Sequence, residues 1–439
     1  MAERTEEQLV RALRAAADLA PQPIGDLTVG IAVRRRRRRR RRMQTLLAAT
    51  AAVAVIGTGM TVMRGTFLEH RGGADVATEA RASLTPAAPP VAPQRFDPAA
   101  EVWPEAVFRI PAKSRDGLEY RPLMALSATE VLLAAESAHG ESDRLEVYDS
   151  STESIWMLTS LPGMFTKSSA QGWDADSRNI VWYTTYVDAE GTPLTRFWLL
   201  SRKGGRPSMV FFLHGEDADK VAKLAVAEDR IAWSLSTGGV FTAPLEGSKR
   251  ATRIPGSEGL FLQQWPWASD KPDNYANDPG GNQSLLVNLA TGERRSVRAG
   301  DAQRLRCGPN WCVGERSDDQ RRMSAVVQRV DGGERQELPL LRSFPTLDGI
   351  VDDRFAVLTV SSAIGWNTPG ETTETEPPPV AVVYDRVTGA KAAVGARGRD
   401  GGGSFGRGTS SAPSNIVYWN AGRSSKPKEY VVLNLAAIR

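Results

Sequence analysis

The sequence predicts an all-β domain, a seven-bladed β-propeller with six or eight blades as fallback, behind a helical tail and one membrane-spanning helix. Three observations predict it. Residues 101–439 hold no convincing amphipathic helical run, only short Val/Ile/Leu/Phe/Trp stretches between turn residues, which is the pattern of all-β folds. Within them an apolar strand followed by a turn recurs every 40 to 57 residues, the period of a four-stranded propeller blade. Upstream, 21 uncharged residues follow directly on nine arginines.

The charge is unevenly spread. Twelve arginines and five acids give residues 1–42 a net of +7, so the chain's +4 leaves −3 for residues 43–439. Its basic character belongs to the tail, and nothing basic remains in the larger part to hold nucleic acid. Arginine outnumbers lysine and alanine is abundant, as in chains from GC-rich bacteria.

Residues 1–42 are read as a cytoplasmic tail. Glu6 to Ala20 places Leu9, Leu13, Ala16 and Ala20 on one helical face before Pro21 and Pro23 end the run. Arg34 to Arg42 follow without interruption. Residues 43–63, Met43 to Met63, contain no charge and at 1.5 Å per residue span about 31 Å, a hydrocarbon core. This segment is expected to sit in membrane lipid. The cationic block keeps the N-terminus cytoplasmic and the rest extracytoplasmic at the plasma membrane. The rival reading is a cleaved signal sequence: Arg41-Arg42 precede a moderately apolar stretch, with Ala80-Arg81-Ala82 as the nearest cleavage pattern. The apolar run exceeds the usual signal core, which favours a retained anchor. Residues 64–100 end in a Pro/Ala-rich spacer.

In residues 101–439 the repeat is anchored at Asp149, Ser201, Ala243, Asn288, Gln328, Asp385 and Asn434, with glycine four residues later at Gly205, Gly247, Gly292, Gly332 and Gly389. This reads as an apolar strand, a tight turn with positive φ at glycine, and a returning strand. A second apolar strand precedes each anchor, beginning near Glu130, Asn179, Arg230, Asn310, Arg354 and Asn415, with a degenerate copy at Leu260 to Trp265. Trp173-Asp-Ala-Asp176-Ser-Arg-Asn-Ile180-Val-Trp182 resembles the Trp-Ser-Pro-Asp-Gly-x-x-Ile-Ala-Phe segment of TolB-like and WD40-like propeller repeats, with Ala for Pro and Ser for Gly.

Closure follows from the ends. Only five residues follow Asn434, so the last blade lacks its outer strand. Phe108-Arg109-Ile110-Pro111 matches the outer-strand copy Thr252-Arg253-Ile254-Pro255. The first strand of the domain is therefore expected to complete the last blade.

The long connections, 186–194, 265–282, 361–378 and 393–412, are expected on one face, where a rigid scaffold concentrates function. Trp265, Trp267 and Tyr275 in that set are the candidate ligand-stacking residues; the alternative is that the tryptophans finish a blade's core. Cys307 and Cys312 flank Gly-Pro-Asn-Trp and are candidates for a disulfide across a hairpin turn, against two free thiols. Gly401, Gly403 and Gly406 have Gly-x-Gly-x-x-Gly spacing, but no helix follows, so no nucleotide site is expected. There is no His-Glu-x-x-His, P-loop or Ca²⁺-loop pattern, and His70, His139 and His214 are scattered. No catalytic residue, metal or cofactor is assigned.

Three functions remain. The first is a non-enzymatic binding or sensing protein whose extracytoplasmic ligand is a protein, wall component or small molecule. The layout resembles that of bacterial transmembrane anti-sigma regulators, which implies a sigma factor as a cytoplasmic partner of the N-terminal helix; residues 1–42 lack the His/Cys pattern of the zinc-containing versions. The alternatives are a propeller hydrolase or lyase, which the fold alone does not exclude, and an envelope assembly scaffold.

Overall fold

The structure is a computed structural model describing residues 96–137, 142–161, 170–247, 250–272, 281–317, 323–338, 343–360, 379–396, 405–411, 413–422 and 427–439. The expected tail, residues 1–42, and membrane segment, residues 43–63, lie outside the described residues. Among those described, no helix is long and apolar enough to cross a membrane.

Seven four-stranded antiparallel sheets follow one another along the chain. The first blade runs Glu119–Ala125, Glu130–Glu136, Ser142–Asp149 and Ser154–Ser160 from the innermost strand outward. The next five begin at Ala170–Ala175, Val221–Ala227, Phe261–Gln264, Gln303–Cys307 and Ser343–Val351. The seventh is composite. Phe405–Arg407, Ile416–Asn420 and Glu429–Asn434 supply three strands, and Val107–Pro111 supplies the outermost. Val107 pairs with Leu433 and Ile110 with Tyr430. The ring is thus closed by its own N-terminal strand, as the match of residues 108–111 to the outer-strand copy at 252–255 predicts.

Seven apolar clusters occupy the seven seams between blades. The second strand of a blade buries both of its faces. In Glu130–Glu136, Leu132 and Ala134 pack toward the second blade, while Val131, Leu133 and Ala135 pack toward the seventh. That is why the second strands read as unbroken apolar runs rather than alternating ones.

The recurring turn has a local cause. The side chains of Asp149, Ser201, Asn288, Asp385 and Asn434 accept a hydrogen bond from the backbone N–H two residues on, an arrangement that holds a turn without strand partners. The glycines four residues past the anchors all take positive φ, from 74° at Gly389 to 116° at Gly205. The neighbouring Gly204 allows close approach as well: a Cβ there would stand 2.8 Å from the carbonyl oxygen of Leu158 on the preceding blade's outer strand.

Three expectations need correction. Leu260 to Trp265 is not the second strand of the fourth blade; Phe261–Gln264 is its first, and the second is the short Trp267–Ser269. Pro266 interrupts the apolar run and forces a turn where continuity suggested a strand. Residues 393–412 are not one connection, because Phe405–Arg407 inside them is the innermost strand of the seventh blade. The propeller's contacts also begin before residue 101. Ala393 donates its N–H to the carbonyl of Asp97 at 2.8 Å, and Pro98 bridges Ala393 in parallel, so residues 97–98 cover the outer edge of the sixth blade. The four-residue helix Ala99–Val102 and a 3-10 turn, Pro104–Ala106, then bring the chain to its closing strand.

Candidate functional site

The connections between first and second and between third and fourth strands share one face of the ring, called here the turn face. Those between second and third strands and between blades share the other, the loop face. Of the long connections expected on the loop face, 188–192 in the second blade and the described ends of 270–284 in the fourth join second to third strands there. The turn face carries longer connections too, at 245–251 and 408–415. Residues 273–280, 361–378 and 397–404 lie outside the described residues.

The loop of the fourth blade stands on a buried polar footing. Gln263, Ser269 and Gln283 are almost fully buried. The Gln283 amide nitrogen donates to Gln263 Oε1 at 3.2 Å and to Ser269 Oγ at 3.0 Å. Gln283 Oε1 accepts the N–H of Cys307 at 2.6 Å, and Asn282 Oδ1 that of Leu305 at 2.9 Å. Arg306 Nη1 donates to the carbonyl of Gly281 at 2.8 Å. Buried amides matched in this way fix a backbone more narrowly than apolar packing does, because a shifted register strands their donors. The footing therefore holds both ends of the loop in place.

Segment 408–411 turns into the centre of the ring. Thr409 Oγ1 accepts from Arg121 Nη1 at 2.7 Å, and Ser411 donates its N–H to the carbonyl of Trp173 at 2.6 Å. Ser411 Oγ accepts the N–H of Leu224 at 3.1 Å. The closing blade thus reaches the inner strands of the first, second and third. A Cβ on Gly408 would lie 2.0 Å from the carbonyl oxygen of Leu123, so only glycine fits there. Beside this segment, burial pushes Asp174 up to about 6, although its Oδ2 accepts the N–H of Val226 at 2.8 Å. Burial likewise lifts Glu315 to about 7 against the opposing charge of Arg304 at 3.1 Å.

The candidate residues do not gather. Trp265 belongs to the turn between the first and second strands of the fourth blade, at the turn face, and packs against the seam to the third blade. Trp267 is buried in the seam to the fifth blade, with the Arg295 guanidinium 4.4 Å from its ring centroid. Trp267's placement matches the core alternative, whereas Trp265 is half-buried at the edge of its seam. Tyr275 lies outside the described residues. Cys307 and Cys312 form a disulfide between directly paired residues of the first two strands of the fifth blade.

The serine of Gly402-Gly-Ser404-Phe-Gly406 has the spacing of a Gly-x-Ser-x-Gly nucleophile turn, but Phe405 and Gly406 enter a strand where that motif requires a helix. Among the described residues no three His, Cys, Asp or Glu side chains are grouped to hold a metal ion. Two features escaped the sequence reading. One is the inward segment 408–411, which looked like ordinary loop. The other is a cleft of about 290 Å³ between the fifth and sixth blades on the turn face, lined by Trp311, Arg386 and four neighbours. The only available signal was Trp311 inside the two-cysteine turn.

With seven sheets and the closing strand established, the chain can be set beside known proteins. It is a seven-bladed β-propeller. No protein-family model matches it, and no curated protein does. Among solved structures it is similar to one from Agrobacterium tumefaciens assigned as TolB, at 13% identity and a TM-score of 0.35, over 66% of this chain and 96% of that one. It is also similar to BamB from Moraxella catarrhalis, at 11% identity and a TM-score of 0.32, over 72% and 85% of the two chains. An oligogalacturonate lyase in complex with manganese matches at 12% identity and a TM-score of 0.29, over 71% and 76%. TolB and BamB propellers thus stand among its structural neighbours. Likeness at this level says nothing about ligand or activity, and the blade count rests on this chain's own strand order.

Proposed function

We propose that this chain is a membrane-anchored, extracytoplasmic binding protein that meets its ligand through the loop face of the propeller. The observation that carries this reading is the asymmetry of the ring. The two longest connections, 270–284 and 361–378, both join second to third strands and so leave the ring on one face. The fourth blade's loop is held there by the buried amides of Gln263 and Gln283. The opposite face carries mostly short turns capped by their own side chains. A rigid frame presenting variable loops on one side is the usual build of a recognition surface.

The membrane part of the proposal rests on the uncharged residues 43–63 behind Arg34 to Arg42. A periplasmically active reporter fused after Arg439 is expected to report outside the cytoplasm and be silent within it; the reverse would end the anchored reading. For the ring, residues 272–282 and 361–378 are to be replaced by short Gly/Ser turns in the full chain. The unaltered chain is expected to retain cell-envelope material in cross-linking and sedimentation with isolated envelopes, and the loop-shortened chain to lose it while unfolding at the same temperature. Equal retention by both would remove the loop face from consideration. Signalling inward through the tail, in the manner of an anti-sigma regulator, is the finer form of the proposal. It predicts that residues 1–42 capture a sigma factor from cytoplasm, and their failure to do so would leave an inert anchor.

A further inference from the structure

The cleft between the fifth and sixth blades opens on the turn face, away from the long loops. It measures about 290 Å³ and is lined by Trp311, Val327, Glu334, Arg335, Gln336 and Arg386. Arg386 is held in two ways. Its guanidinium carbon lies 4.1 Å from the centroid of the Trp311 ring, and its Nε donates to the carbonyl of Asp353. Asp353 is itself fixed, since its carboxylate accepts the N–H groups of Asn310 and Trp311 at 3.0 and 3.1 Å. A stacked arginine whose Nε is occupied keeps its Nη edge for a ligand and loses little freedom when one binds.

The charge balance separates this arginine from three of its four stacked counterparts. The fourth, Arg196 over the Tyr186 ring, likewise has no carboxylate partner among the described residues, but it does not line this cleft. Arg253, Arg295 and Arg354 also lie over aromatic rings, and each has a carboxylate partner, in Glu258, Glu293 and Asp385. Arg386 has no carboxylate partner among the described residues. Arg335, the other cation of the cleft, is committed to Asp301 at 2.6 Å and Glu337 at 3.4 Å. Gln336 accepts from the Tyr384 hydroxyl, which leaves its amide nitrogen as a donor. Glu334, paired with Arg329 at 3.2 Å, lines the same cleft and penalises a second negative charge on any occupant.

We propose that this cleft binds a small organic monocarboxylate. The carboxylate is taken by Arg386 and the Gln336 amide, and the apolar body lies against Val327 and Trp311. One uncommitted guanidinium matches one charge, its planar fork matches a carboxylate, and Glu334 disfavours a dianion. This site is independent of the loop face.

The test uses the full-length chain in mild detergent, titrated calorimetrically with benzoate, with its neutral isostere benzamide and with phenyl phosphate. Benzoate is expected to bind saturably and the other two not. Arg386→Gln is expected to weaken benzoate at least about ten-fold, the scale of a lost charge-assisted bond. Glu334→Gln is expected to tighten benzoate several-fold and to admit phenyl phosphate. Absence of saturable benzoate binding, or undiminished binding by Arg386→Gln, overturns the proposal. Should Arg386→Gln not fold, the Glu334→Gln chain decides: unchanged benzoate affinity overturns the proposal and a gain supports it.

Discussion

Replacing Ile110 by alanine tests whether the ring is held shut by its N-terminal strand. Ile110 is fully buried, pairs with Tyr430, and packs with Tyr120, Tyr148, Ile416 and Val432. Truncation removes three carbons from a seam framed by two tyrosine rings, which cannot collapse far into the space. Substitutions of this kind cost about 2–5 kcal/mol, rising with the cavity left behind, and the rigid frame puts this one in the upper half, about 3–4 kcal/mol. Arg109, one residue earlier on the same strand, is the control. Its ion pair with Glu429 at 3.1 Å is solvent-exposed on both sides, so Arg109→Ala should cost less than about 1 kcal/mol. Urea unfolding followed by far-UV circular dichroism reads the difference. A ring of repeating sheets need not unfold in one step, so the comparison is made at the first transition. The Ile110→Ala chain is expected to open at clearly lower urea than either the control or the unaltered chain. Coincident curves for Ile110→Ala and Arg109→Ala would mean that the closing strand does not hold the ring.

Three further outcomes follow from the same geometry. Glu153 occupies the turn position filled elsewhere by glycine, at φ 54°; a left-handed L-residue costs about 1–2 kcal/mol, partly offset by glycine's unfolded-state freedom. Glu153→Gly should therefore raise stability by about 0.5–1 kcal/mol in denaturant melts, and Gly389→Ala, where a Cβ meets nothing within 4 Å, should lower it by about 1 kcal/mol on conformational grounds alone. Asp174, raised to about 6 by burial, binds its proton more tightly folded than unfolded, so its contribution is favourable below about pH 4 and is lost as pH rises through 6. Asp174→Asn should flatten the pH dependence of stability across that window and gain up to about 3 kcal/mol at neutral pH; an unchanged profile would show that the carboxyl is solvated. Arg354 binds Asp385 through two nitrogens at 3.0 and 2.8 Å and also holds the carbonyls of Ile438 and Arg439. Burial works to raise Asp385, but Arg354, Thr388 and the Val387 N–H together hold it below its ordinary value. Its stabilisation is thus present above the unfolded value and lost in acid. Arg354→Ala should cost about 3–5 kcal/mol by stranding a buried carboxylate, and a melt within 1 kcal/mol of the unaltered chain, on the order of a surface pair, would refute the lock.

Much of the architecture could be read before any coordinates, for local reasons. Asp149, Asn288 and Asp385 shape their turns through their own side chains, and Gly292 and Gly389 supply positive φ within the same few residues. These signals are short-range and survive in the linear order. So did the outer-strand match between Ile110 and Ile254, which exposed the closure. The fourth blade was misread where its strands shrink to Trp267–Ser269 and Pro266 breaks the apolar run, leaving too few residues for a period.

The candidate site was less legible, because its parts are far apart in sequence. An indole in a loop-like segment has the same composition whether it faces solvent or a seam, and only the neighbouring blade decided that Trp267 is core. The path of 408–411 depends on Arg121, Trp173 and Leu224, each from a different blade. The cleft at Arg386 exists because Asp353 grips the turn at Asn310 while Arg386 itself follows the anchor Asp385. What sequence alone determined was the repeating strand-and-turn unit and the strand that closes the ring, since each is encoded by adjacent residues, while the count of seven was settled by the strand order. What only the tertiary structure decided was which side chains converge, because convergence is set by the curvature of the ring, and no stretch of chain carries that curvature by itself.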